Sequence, residues 1–328
     1  MSKTDFFKSA ILTVFILAPS SACAPRATPM ELIPVTVQLQ WTHQAEFAGF
    51  YAADQNGNYA DEGLAVTFIQ GGPDVDNLAP LVDRKVQFCT ATAEQLIVAR
   101  ASGKPLRAVA TIYRRSPAVF FSLADSGITR PQDFAGKKVR VPATILPTLH
   151  AMTSRVGVTP DQYTEVNLPS DVTIFASGVV PVWGGYINAL PLLVQKAGIK
   201  IIIIYPDDYG VHFYGDSLIT TDELISTQPD LVERFLRATL VGWTYAVENP
   251  EKVGLMVQKY IPDAEPSLET DKMIASIPLV NTGEDHIGWM KAEMWTSMEQ
   301  TLREQGVLTS PLDVTQVYTM QFLNEIYR

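Results

Sequence analysis

Residues 38–72 constrain the fold of this chain more than any other stretch, because they carry a strand, a loop, a helix and a second strand in immediate succession. Apolar and polar residues alternate over 35–40, and this period of two is typical of a strand. No proline interrupts the helical run from 45 to 55. Asn56-Gly57-Asn58 is expected to end that helix, since glycine and asparagine tolerate the left-handed backbone of a helix end. Apolar residues at 66–69 then predict the second strand.

The same alternation continues along the chain and predicts an α/β fold with two lobes. Strands are expected at 86–89 and 106–113, with a helix beginning at Thr92 or Ala93 between them. A β-α-β-α-β order implies a mainly parallel sheet with helices on its faces. Residues 128–141 restart the alternation, and 216–220 would return the chain to the first sheet. We therefore assign 34–120 and 216–328 to lobe 1, and 121–215 to lobe 2.

The second lobe is predicted from shorter segments. A helix is expected at 147–156, a strand at 163–166 and a buried, nearly all-apolar strand at 199–205. A short strand at 179–182 would be kept to a sheet edge by its proline and would end before Gly184-Gly185. The remaining helices, at 229–248, 250–260 and 291–305, are expected to cover the first lobe.

The N-terminus has the order of a secretory signal. Lys3 and Lys8 precede an apolar run at 10–18, and small residues lead to Cys23. The run would span roughly 14 Å as a helix, short of the ~30 Å core of a bilayer. We predict a signal peptide over 1–22, then a tether over 23–33 whose Cys23 is lipidated (palmitate-bearing) and anchors the protein to the extracytoplasmic face of the cell membrane. Ordinary secretion, with Cys23 merely near the cleavage site, is the alternative.

Charge and motif content exclude several functions. A net charge of −10 opposes nucleic-acid binding, which needs a basic surface. The four histidines lack metal-ligand spacing, and phosphate-loop and nucleophile-elbow motifs are absent. Two cysteines, of which Cys23 would carry lipid, build no disulfide framework. The sequence therefore predicts no catalytic constellation, no metal and no cofactor.

Four segments carry a resemblance to a known family. WTHQAEFAGFYAA (41–53), GNYADEGLAVTFIQGGP (57–73), AEQLIVARASGKPLRAVA (93–110) and QDFAGKKVRVP (132–142) resemble solute-binding proteins of ABC importers, in the branch related to thiamine-pyrimidine synthases. The sequence at 43–53 is most similar to that of riboflavin-binding members of this branch. The resemblance implies a periplasmic binding protein type II architecture with a ligand cleft between two lobes, and ABC permease and ATPase subunits as partners.

Strand ends and aromatic residues give the candidate ligand-binding set, since ligands meet the carboxyl ends of parallel strands. Its members are Trp41, His43, Phe47, Tyr51, Thr90, Glu94, Tyr113, Ser116, Trp183, Tyr186, Asn188 and Tyr209. Purely structural roles for these residues also stay open. Phe47 and Tyr51 share a helix face and suit a core equally well, Gly184-Gly185 suits a plain turn, and the others suit ordinary loop surface.

The ligand expected from the resemblance is riboflavin or a related heterocycle. Burying about 250 Å² of a flat ring gains about 6 kcal/mol, and each aromatic stack adds on the order of 1 kcal/mol. Micromolar binding needs about 8 kcal/mol net, so binding requires no catalysis. A thiamine pyrimidine precursor is the alternative ligand. The rival class is a pyridoxal-phosphate-dependent pyrimidine synthase, whose cysteine-rich motif this chain lacks.

Overall fold

A computed structural model describes residues 31–72 and 75–328. The predicted signal peptide and the lipidation of Cys23 lie outside the described residues and stay predictions. In the described part, the strands are β1 Ile33–Gln38, β2 Leu64–Ile69, β3 Phe88–Thr92, β4 Leu106–Thr111, β5 Ala118–Leu123, β6 Lys138–Arg140, β7 Thr164–Val166, β8 Val182–Tyr186, β9 Ile201–Ile204 and β10 Asp216–Thr221. The helices are α1 Ala48–Gln55, α2 Asn58–Asp61, α3 Ala79–Val82, α4 Ala93–Ala101, α5 Leu146–Arg155, α6 Val172–Ala176, α7 Leu190–Lys196, α8 Asp222–Thr227, α9 Pro229–Glu248, α10 Pro250–Val257, α11 Pro266–Val280, α12 Ala292–Glu304 and α13 Gln321–Ile326.

The strands form two five-stranded sheets, which confirms the two-sheet α/β prediction. The first sheet has the order β2-β1-β3-β10-β4 and the second β7-β6-β8-β5-β9. Each sheet has one reversed strand: β10 pairs antiparallel with β3 and β4, and β5 pairs antiparallel with β8 and β9. The chain changes sheet between β4 and β5 and returns between β9 and β10. The residue limits of the two predicted lobes remain a prediction.

The start of the first sheet follows the sequence pattern closely. A single 3₁₀ turn at Ala45–Phe47 precedes α1, and Gly57 has the left-handed φ of 82° expected after that helix. The helix restarts at once as α2, which the pattern did not predict. Glycine also sets how α1 meets α9: a Cβ on Gly49 would lie 2.1 Å from the Trp243 ring. This close approach packs the N-terminal end of α1 directly against α9.

Three predicted elements differ from the structure. The strand expected at 179–182 is β8, which contains Gly184-Gly185 and lies in the middle of its sheet. The glycines do not end it, because Gly184 makes room for a neighbour: a Cβ there would lie 2.8 Å from Phe120 Cε1. β9 lies at the sheet edge and is only half-buried, so its apolar run does not mark a fully covered strand. Helix α11 was missed, because Pro278 and its mixed apolar spacing disguise the helical period.

The described residues bury two groups of apolar side chains. The larger surrounds the first sheet and extends to one face of the second. The smaller, here called the Trp183 cluster, lies on the other face of the second sheet and consists of Val119, Phe121, Phe175, Val180, Trp183, Leu190 and Val194. None of the helices described between residues 31 and 328 combines the length and apolar character needed to cross a bilayer.

Candidate functional site

Because β10 runs antiparallel to β3, its first residue lies beside the carboxyl end of β3, and that residue is acidic. Asp216, the first residue of β10, is paired in register with Thr92, the last residue of β3. Thr92 caps α4: its Oγ1 accepts from the Gln95 N–H at 3.3 Å, and its own N–H donates to Gln95 Oε1 at 3.1 Å. This capping box places Glu94 in the first turn of α4, where a carboxylate is favoured. Two carboxyl groups therefore meet at one sheet edge.

Polar side chains from both sheets converge on that edge, and we call them the inter-sheet polar cluster. Its members are Gln40, Glu46, Glu94, Tyr113, Thr148, Tyr186, Asn188, Asp216 and Ser276. Those from the second sheet's side follow strand ends: Tyr186 is the last residue of β8, Asn188 follows it, and Thr148 lies in α5 after β6. The cluster is thus assembled from both halves of the molecule.

Hydrogen bonds between side chains join members of the cluster to one another. The Thr148 hydroxyl donates to Glu94 Oε1 at 3.4 Å, and Asn188 Nδ2 donates to Ser276 Oγ at 2.8 Å. Tyr113 also donates its hydroxyl to Ser276 Oγ, at 3.1 Å. The first two bonds join groups that follow strands of the second sheet to helices α4 and α11. They hold the cluster closed.

Several acceptor atoms in the cluster have no partner among the described residues. They are Gln40 Oε1, Glu94 Oε2 and both carboxyl oxygens of Asp216. Asp216 is 3% exposed and Glu94 5% exposed. An unpaired buried acceptor costs about 1–3 kcal/mol, and more when it is charged, so proteins rarely keep four together for structural reasons alone.

Burial dominates the electrostatics of the cluster. It raises the pKa of Glu94 to about 7, against weaker opposing hydrogen bonds from its own backbone, Thr92 and Thr148. Burial, and then the neighbouring charge of Glu46, hold the pKa of Asp216 well above its ordinary range. Burial also raises the pKa of Glu46, although Gln40 Nε2 and Gln44 Nε2 donate to it at 2.9 and 2.6 Å. Glu46 and Asp216 can share a hydrogen bond only if one of the two carboxyl groups holds a proton, and the protonated group is then the donor.

Four of the residues predicted from sequence lie in the inter-sheet polar cluster: Glu94, Tyr113, Tyr186 and Asn188. Burial, and then the charges of Asp216, Glu46 and Glu94, hold the pKa of Tyr186 well above its ordinary range. Thr90 borders the cluster, because its Oγ1 accepts from the Gln40 N–H at 2.9 Å. Whether any of them contacts a ligand stays a prediction.

Two of the aromatic residues predicted in the opening stretch, His43 and Tyr51, lie together outside the cluster. Tyr51 stacks on Tyr260 with ring centroids 4.0 Å apart, and its hydroxyl lies 2.8 Å from His43 Nδ1. Burial lowers the pKa of His43. Phe47 is fully buried in the larger apolar core, and Trp41 packs half-buried against it. Much of this aromatic surface is therefore packed within or against the larger apolar core.

Trp183 requires a correction. It was expected at an exposed turn beside Tyr186, but it lies inside β8, fully buried in the Trp183 cluster, where its Nε1 donates to Val180 O at 2.9 Å. Positions 183 and 186 of a strand face opposite sides, so the two rings do not share a hollow. A stacking role for Trp183 is not supported by this placement.

Ser116 and Tyr209 are not members of the cluster, although Ser116 shares a cavity with one of its members. Ser116 lines a cavity of about 120 Å³ near the point where the chain changes sheets, together with Thr148, Ile187 and Phe213. Tyr209 is half-buried after β9, where Asp208, Arg130 and Asp133 are the charges that act on it. The structure does not bring either residue to the carboxyl groups.

Sequence reasoning missed five members of the cluster: Gln40, Glu46, Thr148, Asp216 and Ser276. Asp216 was missed because the prediction looked only at the carboxyl ends of strands, and β10 is reversed, so its first residue lies at that edge. Ser276 lies on the unpredicted helix α11. Glu46 had a usable signal, since it is an acid within a run that is otherwise apolar from 45 to 53.

A family model decides which proteins this chain is related to. The NMT1/THI5-like model matches residues 44–253. The chain belongs to the NMT1/THI5-like family. This match includes β8 and β10, and therefore both sides of the inter-sheet polar cluster.

Three individual relatives are each less than 30% identical to this chain. The chain is 26% identical over 324 residues to the riboflavin-binding protein RibY of Chloroflexus aurantiacus, covering 93% of this chain and 90% of that one. It is 27% identical to a formylaminopyrimidine-binding protein of Halalkalibacterium halodurans, with 75% and 76% covered. It is 23% identical to a 4-amino-5-hydroxymethyl-2-methylpyrimidine phosphate synthase of Legionella pneumophila, with 88% and 92% covered.

Solved structures share the fold. The periplasmic aliphatic sulphonate binding protein SsuA from Escherichia coli superposes with a TM-score of 0.68 at 13% identity, covering 87% of this chain and 91% of that one. This likeness confirms the periplasmic binding protein architecture expected from the sequence, and at such low identity it concerns the fold alone.

Proposed function

We propose that this protein is the solute-binding component of an ABC importer, which captures a planar heterocycle, with riboflavin first, outside the cytoplasmic membrane and delivers it to permease and ATPase subunits. One observation carries the proposal: both sheets contribute to a buried cluster whose acceptor atoms lack partners. Lipidation of Cys23 would keep the protein at the membrane surface, as the N-terminal sequence predicts.

Riboflavin suits the chemistry of the cluster. Its ribityl hydroxyls and ring N–H are donors that can reach the unpaired oxygens of Asp216 and Glu94. Tyr113 and Tyr186 are the aromatic members of the cluster, and each ring stacked on a flavin would add about 1 kcal/mol. The similarity to RibY along most of the chain supports the same ligand.

Binding in this site requires the two sheets to separate and close again. The polar contacts that would break include the Thr148–Glu94 and Asn188–Ser276 hydrogen bonds and the ion pairs of Lys196 with Asp271 and of Arg155 with Glu304. Each is a single polar contact, and the ion pairs are exposed, so each is worth about 1 kcal/mol or less. A ligand that supplies donors to the unpaired acceptors can offset this cost.

A thiamine pyrimidine precursor is the second candidate, and the placement of Trp183 favours it. With that ring inside a core, the cluster offers fewer aromatic walls than a three-ring flavin would use. A single pyrimidine ring needs less stacking surface, and its exocyclic amino group is a donor suited to a buried carboxyl group. The similarity to a formylaminopyrimidine-binding protein agrees with this alternative.

Titration of the purified chain distinguishes the two ligands. Riboflavin binding is expected to quench flavin fluorescence with a micromolar or tighter Kd. Unchanged flavin emission, together with calorimetric binding of formylaminopyrimidine, would replace the first candidate by the second. The rival synthase function has its own signal: an absorbance band of bound pyridoxal phosphate on the purified protein would support an enzyme.

A further inference from the structure

The unpaired atoms of the inter-sheet polar cluster indicate the charge class of the solute. Every one of them is an oxygen that accepts hydrogen bonds: Gln40 Oε1, Glu94 Oε2 and both carboxyl oxygens of Asp216. The amide oxygen of Gln40 can only accept a hydrogen bond, and each carboxyl group keeps at least one accepting oxygen whether or not it holds a proton. A ligand that satisfies these atoms must bring its own N–H or O–H groups.

Cationic side chains around the cluster are already paired. Lys272, whose charge acts on Glu46, forms an ion pair with Glu269 at 2.5 Å. Arg140 donates to the carbonyl oxygens of Leu168 and Gly184, and its guanidinium lies over the Trp183 ring, on the face of β8 opposite Tyr186. Lys272 is therefore neutralised by Glu269, and Arg140 lies on the side of β8 away from Tyr186.

The carboxyl groups do not form a metal centre either. In the described ranges 31–72 and 75–328, no group of three or more His, Cys, Asp or Glu side chains has an arrangement that could hold a metal ion. The oxygens of Glu94 and Asp216 are therefore left for an organic solute to meet. A sulfonate or phosphate brought here would add a further negative charge beside three buried acids whose own ionisation burial already disfavours, without a compensating cation.

We infer that the solute of this site is neutral or cationic, presents several N–H or O–H donors to Asp216 and Glu94, and carries no sulfonate or phosphate into the cluster. The inference rests on the proposed binding function and narrows it. It separates this chain from a sulphonate binder of the same fold such as SsuA.

The first test uses carboxamide variants with riboflavin and formylaminopyrimidine as probes. Asp216→Asn and Glu94→Gln keep the side-chain shape but replace one acceptor oxygen by a donor. We expect each to weaken binding of the donor-bearing probe roughly 10- to 100-fold. Asp263→Asn is the matched control, because it makes the same change from carboxyl group to amide at an exposed position; its affinity should equal that of the wild type. Unchanged affinity in both cluster variants, with wild-type circular dichroism, overturns the inference.

The second test is a panel of small molecules scored by thermal protection of the wild-type chain. Protection by riboflavin, formylaminopyrimidine or the polycation spermidine, with none by an alkanesulfonate or inorganic phosphate, supports the inference. Protection by the sulfonate or phosphate overturns it, and so does a panel in which no donor-bearing probe protects. Protection by spermidine alone would end the proposed heterocycle function but support the charge class, so the two failures are distinguishable.

Discussion

Two regions on opposite faces of the second sheet differ in how well their polar atoms are satisfied. In the Trp183 cluster, apolar side chains fill the space, and the single indole N–H donates to Val180 O. In the inter-sheet polar cluster, reached from the same strand at Tyr186, buried acceptors remain unpaired. The first region is built for stability, whereas the second gives up stability, which is the usual sign of a binding site.

The largest effect should come from emptying the apolar region. Trp183→Ala removes a fully buried indole and is expected to lower the free energy of unfolding by about 3–5 kcal/mol, measured by urea denaturation. Riboflavin affinity of the fraction that still folds should stay at the wild-type value. Trp41→Ala is the comparison variant, since Trp41 is only half-buried: its stability loss should be smaller. A specific loss of affinity in Trp183→Ala would contradict the division between the two regions.

A second prediction concerns how the free energy of unfolding depends on pH through Glu94, in the inter-sheet polar cluster. The pKa of Glu94 is about 7 in the folded chain and near 4.5 when unfolded, so between these values the folded state holds the extra proton. Stability therefore falls as pH rises from 4.5 through 7, by about 3 kcal/mol for this group when complete. Denaturation at pH 5 and pH 8 should show Glu94→Gln gaining on the wild type at the higher pH. Equal pH dependence in the two proteins would show that Glu94 titrates normally.

The architecture could be predicted from sequence because it follows local periodicity. Alternating residues in β1 and the uninterrupted helix that follows predicted the order of these elements, with limits two or three residues from the observed ones. The cluster could be predicted only in part. Glu94 and Tyr113 follow parallel strands and were found, whereas Asp216 belongs to a reversed strand, and strand direction depends on long-range pairing that periodicity does not report.

The role of a glycine pair is also decided by tertiary contacts that the sequence pattern does not report. Gly184-Gly185 suggested a turn, but the pair lies inside β8, where Gly184 admits the Phe120 ring. Glycine is used both to turn a chain and to let another group approach closely, and only the tertiary neighbour decides between them. The misplaced turn is what put Trp183 beside Tyr186 in the predicted site.

A smaller stability change of opposite sign is expected at Asp216. Asp216→Asn removes a buried carboxyl group that lies against Glu46 and lacks a donor, so the ligand-free chain should be stabilised on the order of 1 kcal/mol at pH 8. Thermal unfolding without ligand measures this gain. Asp263→Asn, at an exposed site, should change stability by less than about 0.5 kcal/mol. A destabilised Asp216→Asn variant would mean that the carboxyl group serves the fold.

The smallest effect tests where the boundary between the regions lies. Tyr186→Phe removes one hydroxyl but keeps the ring, so stability should change by less than about 1 kcal/mol. Because the hydroxyl lies on the cluster side of β8, we expect riboflavin affinity to fall by roughly 3- to 10-fold, measured by flavin fluorescence. Tyr245→Phe, on the distant helix α9, is the matched control and should bind as the wild type does. If the two phenylalanine variants bind riboflavin equally well, the Tyr186 hydroxyl belongs to the scaffold, and the binding surface begins beyond it, at Glu94 and Asp216.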